Sequence, residues 1–170
     1  MGAGTAVPRL RIRCIELSVP GCRCGASPER GSMARSPILP SARMRPTEQQ
    51  WSTLEYACHV RDVFRLFDKR LELMVENDDP LFENWDQDRT AVESRYEEQD
   101  PERVAAELQA AAAALAERFD AVAQSSWSRT GRRSDGAEFT VDSFSRYLLH
   151  DPVHHLHDVN TGLHVLGETA

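Results

Sequence analysis

Three segments of this chain, 51–76, 100–122 and 141–162, repeat apolar residues at steps of three and four, while no segment sustains the period-two alternation of a half-buried strand. In the first, Tyr56, Val60, Val63, Phe64, Phe67, Leu71 and Met74 form one stripe. Ser52 and Glu55 have the S-x-x-E spacing of a capping box at its start, Trp51 and Tyr56 can staple it, and Asn77-Asp78-Asp79-Pro80 ends it. The second opens with Asp100 at the cap and Pro101 at the first helical position, then presents Val104, Leu108, Ala112, Leu115, Phe119 and Val122. Its alanine-rich centre, Ala110–Ala114, permits close approach of a neighbouring helix. The third is expected to bury Phe144, Tyr147, Leu148, Leu156 and Val159 and to close at Asn160-Thr161-Gly162. A shorter helix is expected around Arg89–Glu97, and Trp127–Gly136 reads as a loop. The fold class that follows is all-α, an antiparallel helical bundle.

Charge divides the chain where the helices begin. The 170 residues carry a formal −7, but residues 1–46 hold eight arginines against two glutamates, leaving an acidic body of −13. Such a body repels phosphate backbones, which argues against nucleic acid as a partner. No apolar run approaches the ~20 residues that cross a bilayer, so no membrane partner is expected. Prolines at 8, 20, 28, 37, 40 and 46 break the N-terminal stretch. The expected organisation is an irregular basic segment at 1–49, a helical domain at 50–162 and a tail at 163–170. Cys22 and Cys24 are one residue apart, too close for a common zinc knuckle, and no signal-peptide core is visible, so a reducing cytoplasm is the expected location.

Five of six histidines fall within the last 21 residues. His150 and His154, four apart, project from one helical face, a spacing with which two imidazoles can bind one metal ion. His59 lies on an inner face of the first helix and can meet them if the first and last helices pack together. The expected metal ligands are therefore His59, His150 and His154. His155 and His157 are expected to point away, Asp62 and Asp158 to orient ligand rings, and Cys58 to be core. The alternative for the cluster is a polar helix end, with His59 bonded to a backbone carbonyl and the helix restarting at Pro152. Arg129, Arg132 and Arg133 read as a solvated loop, with a substrate carboxylate as the lesser alternative.

Trp51 through His59, W-S-x-x-E-Y-x-x-H, and His150 through His155, H-D-P-V-H-H, together resemble the DinB/YfiT-like family of metalloenzymes over about residues 50–162. The resemblance implies a four-helix bundle and a divalent ion, zinc or nickel, on three histidines at the positions of His59, His150 and His154, with room for water or substrate. Related bundles act as thiol-dependent isomerases and transferases, so a metal-dependent thiol S-transferase or hydrolase acting on a small molecule is expected. The Ala- and Arg-rich composition makes mycothiol the first thiol to test, with bacillithiol or glutathione as relatives. The other expectation is a non-catalytic, stress-related or small-molecule-binding bundle with a structural or vestigial metal site. The family's first helix should precede Trp51, where the prolines stand. That helix is therefore expected to be degenerate or missing, and a homodimer would complete the bundle.

Overall fold

The computed structural model describes residues 40–168, so most of the basic N-terminal segment lies outside the described residues. Four helices carry the fold: α1 (Thr53–Glu76), α2 (Gln87–Glu93), α3 (Pro101–Ala121) and α4 (Val141–Val165). The start signals act as the sequence implies. Ser52 accepts from the Glu55 amide while Glu55 reaches back to the Ser52 amide, and Asp100 caps α3 with Pro101 in its first turn.

Helix α1 is the central member. Arg61 pairs with Glu107, and Asp68 and Glu72 with Arg118, so contacts advance together along α1 and α3 and these helices run in the same direction. Phe67 stacks on Phe144 and His59 meets Asp151, so α4 runs antiparallel to α1. The crossover at 77–100, which contains α2, returns the chain to the starting end of α1. One core joins Phe64, Phe67, Leu71 and Met74 of α1 to Leu115 and Phe119 of α3 and to Val141, Phe144 and Leu148 of α4. A smaller cluster of Leu54, Cys58, Tyr96 and Val104 closes the other end.

The expected loop at 127–136 contains the middle strand of a small sheet. Strands β1 (Leu81–Phe82), β2 (Thr130–Arg133) and β3 (Glu138–Thr140) lie in that order, β1 parallel to β2 and β2 antiparallel to β3. Strands of two to four residues are too short to display a period. The Asp135-Gly136 pair is the local turn signal, and Gly136 takes φ +92°. Gly131 lets β2 lie against the core, since a Cβ there would come within 2.6 Å of the Phe82 ring.

Residues ahead of Trp51 contribute too. A 3-10 turn at Pro40–Arg43 packs on α1, and Arg45 forms an ion pair with Glu55. Gln50 Nε2 donates to the Asp158 carbonyl, 3.0 Å away. Helix α4 continues past its expected end because Gly162 makes room for Pro46, whose Cγ would lie 2.7 Å from a Cβ at that position. It also runs unbroken through Pro152, whose ring is buried.

Burial opposes the charge of Glu55, but hydrogen bonds from Arg45 and Ser52 outweigh it and hold the carboxyl below its ordinary range. Its contribution to stability is complete above that ordinary range and drains away as pH falls toward the folded value. The urea midpoint of wild type should therefore exceed that of Glu55→Gln at neutral pH, with the gap narrowing below about pH 4. A gap that stays constant across that range would refute the assignment.

Candidate metal centre

His59 projects from the second turn of α1 and is almost wholly buried, at 1% exposure. Its ring stacks on Trp85, with centroids 5.4 Å apart and planes 14° apart, and Trp51 covers it from another side at 5.4 Å. Neither His59 nitrogen has a hydrogen-bond partner among the described residues, and the buried Oδ2 of Asp151 also lacks one. These orphaned atoms face each other, Nε2 lying 3.3 Å from Asp151 Oδ2.

The third member is His155, one turn beyond Asp151 on α4. Its ring meets His59 edge-on at 4.7 Å and Tyr56 at 5.0 Å. Nε2 of His155 lies 3.5 Å from Asp151 Oδ1, and Nδ1 lies 3.2 Å from Asp158 Oδ2. With Nδ1–H directed at Asp158, the Nε2 lone pair faces the cluster. His59, Asp151 and His155 each offer a ligand atom, and these atoms fall within 4.8 Å of one another. Buried nitrogens without partners are costly, and a metal ion supplies the missing bonds, so this donor set fits a divalent cation.

Burial opposes ionisation of Asp151, but His155 and His59 beside it hold its carboxyl far below the usual carboxylate range. Burial likewise opposes charge on His155, and Asp151 and Asp158 more than compensate, raising its pKa. Burial and the charge of Asp158 push the Tyr56 hydroxyl upward.

Of the three histidines expected to share an ion, the structure brings His59 alone into this cluster. His150 and His154 stack parallel at 6.0 Å on the outer side of α4, and the His154 side chain is 59% exposed. His150 borders a neighbouring cavity, while His154 forms a second, more open group with His155 and Asp158. The physical reason is helix phase. Ahead of the cluster the buried positions of α4 are Val141, Phe144, Ser145, Leu148 and Pro152, and the three- and four-residue steps from Ser145 through Leu148 and Pro152 continue to His155. Asp151 shares that inner side, whereas Tyr147 and Leu156, expected inside, are 44% and 43% exposed. The D-x-x-x-H pair at 151 and 155 was the available signal, seven residues beyond Phe144 and Leu148 respectively.

Asp62 is engaged elsewhere, by Arg61, Arg65 and the Tyr96 hydroxyl. Asp158 does support a ring, that of His155. Cys58 is core, and burial pushes its thiol up to about 12, which removes it as a nucleophile near neutral pH. In the expected arginine loop, Arg129 is bound to the Met74 and Asn77 carbonyls, Arg132 pairs with Asp79, and Arg133 pairs with Asp135.

Fold and cluster together define a helical bundle with a part-buried histidine–carboxylate centre suited to a metal ion. The DinB superfamily model matches residues 40–159, and the chain belongs to that family. It is similar in structure to YfiT from Bacillus subtilis, described as a probable metal-dependent hydrolase with an unusual four-helix bundle topology. The match has a TM-score of 0.68 and 15% identity, and covers 76% of this chain and 74% of that one. At that identity the likeness shows the fold. No curated protein matches the chain. Among the described residues, no helix is long and apolar enough to cross a membrane.

Proposed function

We propose that this protein is a divalent-metal enzyme whose ion is held by His59, Asp151 and His155, with hydrolysis or thiol transfer on a small molecule as its reaction. The observation that carries this reading is the buried His59, with both ring nitrogens unpartnered, facing the unpartnered oxygen of Asp151. Two imidazoles and a carboxylate are a zinc- or nickel-compatible set, and three protein ligands leave a coordination position for chemistry. When bound, the ion supplies Lewis-acid polarisation of a substrate oxygen or sulfur.

The protein's own groups prepare that chemistry. Asp158 fixes the tautomer and orientation of His155, and Trp51 and Trp85 exclude water from the buried side of His59. A thiol nucleophile would have to come from a co-substrate such as mycothiol, bacillithiol or glutathione, because Cys58 is buried and protonated.

Protein purified without chelator should contain about one divalent ion per chain, as a three-ligand site requires. It should also turn over either an ester or amide panel or an electrophile supplied with a low-molecular-weight thiol. Absence of stoichiometric metal defeats the proposal. Stoichiometric metal without turnover on any panel favours the non-catalytic binding protein.

A further inference from the structure

A cavity of about 150 Å³ adjoins the histidine–carboxylate cluster and shares Asp151 with it. Arg70 and Arg133 both line it, from α1 and β2, with Asn84 and Gln87 beside them. Arg70 is 6% exposed, yet no carboxylate lies within ion-pair distance of it among the described residues. Its Nη2 donates to the Glu83 carbonyl at 2.8 Å, and its guanidinium sits 5.4 Å over the Phe82 ring. Arg133 reaches the same space while paired with the partly exposed Asp135, and its Nη1 donates to the Tyr147 hydroxyl at 3.2 Å.

A buried guanidinium held by a carbonyl and an aromatic face but no adjacent carboxylate, sharing a cavity with a second guanidinium, favours an added anion. Burial first, and then the charge of Arg133, depress the Arg70 pKa, against smaller opposing effects of Tyr147 and Asp135. The lining also includes apolar Val63, Leu66, Phe67 and Trp85, the first three on the same side of α1 as Arg70. Planar guanidinium forks match a carboxylate, and the apolar lining matches a short carbon body.

We infer that this cavity binds the carboxylate of a small organic acid through Arg70 and Arg133, placing the rest of the molecule toward Asp151. The inference rests on the proposed metal site only for where the reacting end goes. The anion pocket itself is built from residues outside that site.

Benzoate and benzamide, equal in shape and different in charge, test it by NMR titration of chelator-stripped and metal-loaded protein. Benzoate should bind saturably in both forms and about tenfold or more tightly than benzamide, the scale of one charge-assisted hydrogen-bonded pair. Arg133→Gln and Arg70→Gln should each erase that acid-over-amide preference. Arg133 is the safer variant for folding, and the preference ratio does not respond to a general loss of stability. Equal binding of acid and amide overturns the inference. So does a preference that survives both substitutions, benzoate binding confined to the metal-loaded form, or stronger binding of inorganic phosphate than of benzoate. Metal content measured on the same samples keeps the two ideas separable. Protein that takes up no stoichiometric metal when loaded yet keeps the preference defeats the metal proposal alone, and metal-bound protein without the preference defeats the carboxylate pocket alone.

Discussion

His59→Ala protein purified without chelator is expected to carry no stoichiometric divalent metal, and Asp151→Ala and His155→Ala should lose it as well. Each substitution removes one of three protein donors, a larger change than loss of a supporting group, which alone costs about 10–100-fold in affinity. Asp158→Ala should show that smaller effect, because it leaves the donors intact and frees the His155 ring to turn. His150→Ala and His154→Ala should retain the ion, since their side chains stack on the outer side of α4. Metal analysis of the six variants, four at histidines and two at Asp151 and Asp158, decides the matter. Loss in His150→Ala and His154→Ala, with retention in Asp151→Ala and His155→Ala, would move the ion to that outer face. Stability supplies an independent check. In chelator, His59→Leu should lose little stability, because the buried nitrogens it removes lack hydrogen bonds and only their contact with Asp151 is given up. Strong destabilisation of metal-free His59→Leu would show that the ring is satisfied without an ion.

Phe144→Ala is expected to cost about 3–5 kcal/mol, measured by urea unfolding of metal-free protein so that ligand binding does not mask the loss. Phe144 is 1% exposed and its ring meets Phe67 at 4.4 Å, Phe82 at 6.1 Å and Phe139 at 5.6 Å. It therefore ties α4 to α1 and to both edge strands of the small sheet. A cavity there has walls on three elements, and rigid helices cannot collapse into it from all sides. Domains of this kind are stable by only about 5–15 kcal/mol, so the variant should sit near the limit of folding. A cost below about 1 kcal/mol would mean that these rings do not pack around Phe144.

The helices that are legible in the sequence are those whose ends carry their own chemistry. Ser52 with Glu55 and Asp100 with Pro101 are local devices, and each acts where its spacing implies. The apolar stripe of α1 is legible for the same reason that it is buried, an uninterrupted run from Val60 to Met74. Helix α4 is harder to read because function interrupts its stripe. Asp151 and His155 occupy inner positions where Leu or Val would have marked the face, while Tyr147 and Leu156 place apolar atoms outside. Hydropathy thus points to the wrong side of the helix at the cluster itself. The relative direction of α1 and α3 is not a local property. It depends on the path of residues 77–100, where the strand and helix are too short to declare themselves. His59 was legible from one fact, an imidazole sharing a helical face with Tyr56, Val63 and Leu66.

The contact of Pro46 with Gly162, together with the bond from Gln50 to the Asp158 carbonyl, sets the beginning and end of the described bundle side by side. In topological terms the domain is nearly a closed ring. A short covalent bridge between those neighbouring stretches would let the chain be opened elsewhere, at the Asn77–Asp79 bend for example, as a circular permutant with the same helices in a new order.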